Sequence, residues 1–142
     1  MDAEEIYQAV IMDRARHPRH QRRLEVFDAE AREVNPLCGD RVTVRLCCDA
    51  GGRITELGYE ARACAICLAA TDLMADIASG MTAAEVDATA AMFEVAIRSG
   101  ESIGEDSILS PLRPFQALRD TPSRIGCATL GWRSLSMALR NQ

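Results

Sequence analysis

Apolar and polar residues alternate along RVTVRLCC, residues 41–48. Val42, Val44, Leu46 and Cys48 fall on one face, and Arg41, Thr43, Arg45 and Cys47 on the other, which is the period of a half-buried strand. DAGG at 49–52 has turn chemistry and RITELGYEARA at 53–63 offers a return strand, so the two predict an antiparallel hairpin. A third strand is expected near residues 30–35. On either side of this sheet the period becomes helical. Residues 3–16 predict a helix with Ile6, Ala9, Val10 and Asp13 on a mixed stripe, stopped by HPRH. AICLAATDLMADIAS at 65–79 is apolar around most of its circumference and predicts a well-buried helix ending at Gly80. Thr82 and Glu85 make a capping-box pattern that opens another helix, closed by Gly100. Gly104, Pro111, Pro114 and Pro122 punctuate residues 101–123, which predict short helical turns, and a last helix starts near Ser123 and runs through Trp132 and Leu139. The order of helix, small sheet and helices predicts one α+β domain over residues 1–142, with a three-stranded antiparallel sheet packed against several helices.

Composition narrows the function classes. A formal net charge of −5 argues against a nucleic-acid partner held by electrostatics. All 16 basic residues other than histidine are arginine, so chemistry that needs a lysine amine is excluded. The first twenty residues lack a basic start followed by an unbroken apolar stretch, and no run of about 18 apolar residues occurs. The expectation is a cytoplasmic protein without a membrane span. In a reducing compartment, the six cysteines read as metal ligands, reactive thiols or core fillers rather than disulfides.

The cysteines differ in setting. Cys48 shares a strand face with three aliphatics and reads as a small buried hydrophobe, while Cys47 points the other way. Cys38 lies in the loop NPLCGD, where Gly39 allows a tight turn that can aim Cys38 and Asp40 at one place. Thiolate plus carboxylate suits zinc or iron. Cys64 stands where the return strand passes into the apolar helix, and Cys127 stands in the first turn of the last helix. A helix N-terminus favours thiolate at both. Together with Cys38 and Asp40 they offer three sulfurs and one oxygen, a tetrahedral set if the fold unites them. Cys64-Ala65-Ile66-Cys67 also has the spacing of a thiol oxidoreductase pair, although no aromatic precedes it and too few strands follow. Cys67 itself reads as core. His17 and His20 flank Pro18 and read as a solvated helix terminus.

NPLCGD, ACAICLAATDLM and RIGCATLGW, in this order, resemble the iron–sulfur cluster assembly family that includes IscU, SufU and the N-terminal part of NifU. IYQAVIMD and HPR extend the likeness over nearly the whole chain. The resemblance is closest to the SufU branch. Gly126 stands where IscU-type chains have a histidine, and the segment containing SILSPLRPFQALRDTPSRIG lengthens the interval before the third cysteine. The chain departs from the family at Ala61 and Ala63, where glycines are usual. By position, the resemblance implies a single NifU N-terminal-like domain with metal or cluster ligands at Cys38, Asp40, Cys64 and Cys127. It implies zinc as cofactor, or iron in a [2Fe–2S] cluster at the same site. It further implies Cys127 as the acceptor of persulfide sulfur from a cysteine desulfurase, with Arg124 as a partner contact, and downstream carriers or apo-proteins as recipients. The alternatives are a structural zinc domain without sulfur transfer and the C-x-x-C oxidoreductase.

Overall fold

The computed structural model describes residues 2–142. Helix α1 (Ala3–Arg16) is capped by Asp2, whose carboxylate accepts from the Glu5 N–H. Strands β1 (Ala29–Val34), β2 (Arg41–Cys48) and β3 (Ile54–Arg62) form one antiparallel sheet in that order. Helices α2 (Ala65–Ala78) and α3 (Ala83–Ser99) follow, then two 3₁₀ segments (Ser110–Asp120 and Pro122–Arg124) and α4 (Ile125–Arg140). The predicted α+β architecture is therefore the observed one.

Val44 pairs with Ala31 on one side and Tyr59 on the other, so the predicted apolar face of β2 is the sheet's inner face. Val42, Val44 and Leu46 are fully buried there. Removing each such side chain from water contributes about 1.5–3 kcal/mol. Helix α4 lies across β1 and β2, with α2 and α3 against it. Ser134, fully buried, fits this apolar layer by donating to the Ala31 and Val42 carbonyls. The α2–α4 crossing is tight at Gly131, where a Cβ would strike the Oγ1 of Thr71 and come to 3.0 Å from its Cβ and Cγ2. Trp132, Phe93 and Phe115 fill the layer behind, Phe93 and Phe115 meeting edge to face at 6.3 Å. The capping box of Thr82 and Glu85 and the left-handed Gly100 bound α3 as the sequence predicts.

Three expectations need correction. The side of α1 that turns inward carries Tyr7, Ile11, Arg14 and Ala15, whereas Ile6 and Val10 stay exposed. The reason is electrostatic. Buried Arg14 reaches Asp72 at 3.2 Å and Asp76 at 2.5 Å on α2. The fully buried Asp72 also accepts from the Arg19 and His20 backbone N–H groups and the Tyr59 hydroxyl, each at 2.9 Å. A buried carboxylate persists because this many donors replace water. His20 is thus no free terminus; its Nε2 lies 2.5 Å from Asp76 Oδ1, while His17 stays exposed beside Asp13. Cys48 packs against the core but is only half-buried, where the β2–β3 register shifts between Cys47 and Cys48; Gln142 donates to its sulfur.

Candidate metal centre

The loop between β1 and β2 is built around Asn35. Its N–H donates to the Asp40 carbonyl at 2.8 Å, which closes the loop. Its own carbonyl accepts from the Cys38 and Gly39 N–H groups at 3.3 and 2.8 Å, and its Oδ1 accepts from the Leu37 N–H at 3.1 Å. This Asx turn needs the left-handed φ of 75° at Gly39 to bring the chain back into β2. The result leaves Cys38 exposed and Asp40 buried.

Two helix starts complete the surroundings. Cys64 is the N-cap residue of α2, half-buried, and its N–H donates to Asp40 Oδ1 at 3.1 Å. The carboxylate therefore sits at a helix N-terminus, where the backbone dipole favours negative charge. Asp40 Oδ2 is buried and has no hydrogen-bond partner. Cys127 is the third residue of α4 and is 2% exposed. Its Sγ lies 3.8 Å from Cys38 Sγ. Ligand atoms of Cys38, Asp40 and Cys127 all fall within 4.8 Å of one another. Among the described residues no other group of three potential ligands meets that spacing.

The donor set fits a metal ion. Two sulfurs bound tetrahedrally at about 2.3 Å stand roughly 3.8 Å apart. A buried, unpartnered carboxylate oxygen costs free energy unless a cation or donor reaches it. The thiols point the same way. Burial pushes the Cys127 thiol well above its usual value, and the nearby Cys64 and Cys38 sulfurs add to the rise. This reverses the expectation that the helix start alone would make Cys127 a thiolate. Desolvation and sulfur neighbours raise Cys127 despite its place at the helix start, and a bound cation would offset that rise.

The four predicted ligands end up in one region, but unequally. Cys38, Asp40 and Cys127 converge, while Cys64 meets Asp40 through its backbone and lies outside the common 4.8 Å spacing. Cys67 is fully buried in α2; burial first, and the Asp40 charge next, push its thiol up to about 12. It is core, as its apolar neighbours suggest. Cys47 and Cys48 lie at the far end of β2. Arg124 is exposed, immediately before α4. Neither histidine belongs to the cluster. All six cysteines are free. Sequence reasoning missed Asn35, whose side chain is buried between the loop and α4; the Asn-Pro pair before Cys38 was the available signal.

Comparison with known proteins adds a lineage. The family model for the NifU-like N terminal domain matches residues 6–141. An iron–sulfur cluster assembly scaffold protein IscU from Streptococcus pyogenes serotype M1 is 28% identical over 140 residues, 95% of this chain and 83% of the relative. A zinc-dependent sulfurtransferase SufU from Bacillus subtilis strain 168 is also 28% identical, over 96% of this chain and 91% of its own. Among solved structures, the N-terminal part of a nitrogen-fixing NifU-like protein from Brucella abortus superposes with a TM-score of 0.85 at 26% identity, covering 96% of this chain and 94% of that one.

Proposed function

Because the chain belongs to the NifU-like N-terminal domain family, we propose that it is an iron–sulfur cluster assembly protein whose working site is Cys38, Asp40, Cys64 and Cys127. The observation that carries this reading is the convergence of Cys38, Asp40 and Cys127 within 4.8 Å at the meeting of the loop with α4. Residues 1–142 act as one domain of this type. Cys38 and Cys127 supply two sulfur ligands, Cys64 a third and Asp40 an oxygen. Bound zinc or iron would supply positive charge that holds the cysteines as thiolates and shields them from oxidation.

In the sulfur-accepting step, the Cys127 thiolate attacks the outer sulfur of a persulfide carried by a cysteine desulfurase. A Cys127 Sγ–S bond forms, the donor's S–S bond breaks, and the donor cysteine leaves as thiolate with the bonding electron pair. The transferred sulfur keeps its oxidation level, so the step needs no external oxidant or reductant. Asp40, the hardest ligand of the set, is the one most readily released, and its Oδ1 already has an alternative partner in the Cys64 N–H. Exposed Arg124, three residues before Cys127 at the start of α4, is the contact offered to the donor's surface. To leave as the sulfide of a [2Fe–2S] cluster, the transferred sulfur must first take two electrons from an external thiol or electron-transfer-protein reductant, which breaks the Cys127 S–S bond and returns the Cys127 thiolate; the sulfide, with iron, then passes to carriers or apo-proteins. The six free cysteines and the absence of any helix long and apolar enough to cross a membrane, among the described residues, suit a reducing cytoplasmic setting.

A purely structural zinc domain is disfavoured because structural sites are closed, whereas Cys38 is exposed. The C-x-x-C oxidoreductase is disfavoured because the described residues form only one three-stranded antiparallel sheet, without the further strands such a fold needs after the motif. The test is a persulfide-transfer assay with a purified cysteine desulfurase, read by mass spectrometry of the trapped adduct. Sulfur is expected on Cys127, with Cys127→Ser blocking acceptance. An inert wild-type protein, or sulfur located on Cys67, contradicts the proposal.

A further inference from the structure

The Asn35 side chain is 3% exposed, and its two ends have separate partners. Oδ1 accepts from the Leu37 N–H at 3.1 Å and so shapes the loop. Nδ2 lies 4.0 Å from Cys127 Sγ and donates toward it. An independent feature of α4 makes room for this. A Cβ on Gly126 would come to 3.0 Å from Asn35 Nδ2, so any larger residue there would push the amide aside by a few tenths of an ångström. One side chain thereby reaches both the Cys38–Asp40 loop and the sulfur on the facing helix.

We propose that Asn35 is a positioning residue of the metal centre, holding Cys127 Sγ through an N–H···S bond that Gly126 leaves room for. This rests on the reading of Cys127 as a ligand and sulfur acceptor. The chemistry is direct. Sulfur is a weak acceptor when neutral, and a donor aimed at it is worth more once the sulfur carries negative charge. The amide therefore favours the anionic sulfur that binds a metal, and it restrains the side chain against rotation away from Cys38. Outer groups of this kind typically govern about 10- to 100-fold in metal affinity. Asn suits the place better than a charged donor, because it adds no net charge beside Asp40 and can serve the loop with its other end.

Two variants separate the ends. Asn35→Ser keeps an oxygen that can accept from the Leu37 N–H but is too short to reach Cys127. Gly126→Ala keeps the asparagine and displaces its amide. The first readout is the cobalt(II)-loaded protein. Both variants are expected to shift the sulfur-to-cobalt charge-transfer band to lower energy, because a sulfur that has lost a donor gives up electron density more easily. The second is zinc affinity by competition with a chromophoric chelator, expected to fall about tenfold or more in both. Unchanged bands and affinity in both variants overturn the proposal. A third readout needs no metal. In metal-free wild-type protein, the Asn35 side-chain amide protons are expected to exchange slowly and to shift on Cys127→Ala. Rapid exchange with no shift overturns the Asn35 contact. A wild-type protein that binds neither zinc nor cobalt but retains this amide signature contradicts the metal-centre reading and leaves the Asn35 contact standing.

Discussion

Substituting Gly131 by Ala tests whether the α2–α4 crossing sets the spacing of the centre. The new methyl would strike Thr71 Oγ1 and stand 3.0 Å from both Thr71 Cβ and Cγ2. Thr71 is 1% exposed, so its side chain has nowhere to swing. Overpacking of this kind costs about 1–3 kcal/mol. Alanine's better helix propensity returns about 1 kcal/mol. Because the buried Thr71 cannot move away, the upper part of the overpacking range, about 2–3 kcal/mol, applies, and the net expectation is a loss of about 1–2 kcal/mol, with the helices prised slightly apart. For a chain of this size each kcal/mol lowers Tm by roughly 3–4 °C, so the fall should be about 3–8 °C. The effect also reaches the ligands, because Gly131 lies one turn past Cys127 on α4 and Thr71 two turns past Cys64 on α2. Metal affinity should drop together with Tm. The assay is thermal unfolding followed by circular dichroism, with zinc competition on the same samples. Thr71→Ala in the Gly131→Ala background removes both Oγ1 and Cγ2 and should recover most of the loss. A Tm that rises in Gly131→Ala, as propensity alone would give, refutes the packing argument. So does a double variant no better than the single one.

Other consequences follow from the same geometry. Arg14→Leu removes the countercharge of the fully buried Asp72, leaving it only the Arg19 and His20 N–H groups and the Tyr59 hydroxyl, and should cost about 3–5 kcal/mol in urea unfolding; a loss below 1 kcal/mol would mean the pairing is solvent-screened. Burial alone would raise the Asp76 carboxyl, but bonds from Arg14 and His20 hold it below its ordinary value. Because the folded value is the lower one, its stabilisation is present above the ordinary carboxylate range and disappears as pH falls through the folded value. The stability gap between wild type and Asp76→Asn should therefore be steady near neutrality and close in acid; a gap that widens in acid contradicts this. Cys67→Ser places a hydroxyl in a fully buried site and should lower stability by about 1–3 kcal/mol, while Cys67→Ala leaves persulfide acceptance intact. Loss of acceptance in Cys67→Ala would revive the C-x-x-C reading. Asp40→Ala should retain metal or cluster more firmly while slowing its release, and no change in either quantity removes Asp40 as the labile ligand.

The strands were legible because one face of β2 is buried and the other is not, so period 2 survives in the sequence. The apolar girth of α2, the Thr82–Glu85 cap and the Gly100 stop are equally local signals. Helix α1 misled for a physical reason. Its inward stripe of Tyr7, Ile11 and Ala15 is interrupted by the buried Arg14 guanidinium, while the exposed Ile6 and Val10 offer a competing apolar pattern. The site divides in the same way. The C-G-D loop and the helix-start cysteines were visible as ligand types, but their meeting depends on how α4 crosses the sheet and α2, which no local pattern encodes. Asn35 was hidden because its role lies in two contacts made by opposite ends of one amide, the second of them to a residue at the far end of the chain.

The central claim is a three-sulfur, one-oxygen centre shared by the β1–β2 loop and the starts of α2 and α4. X-ray absorption at the metal edge of anaerobically purified protein tests it most directly. The expected result is one metal per chain, with three sulfur neighbours at about 2.3 Å and one oxygen at about 2.0–2.2 Å, and loss of one sulfur in each of Cys38→Ser, Cys64→Ser and Cys127→Ser. A shell of four sulfurs, or a shell unchanged when Cys64 or Cys127 is replaced, contradicts it.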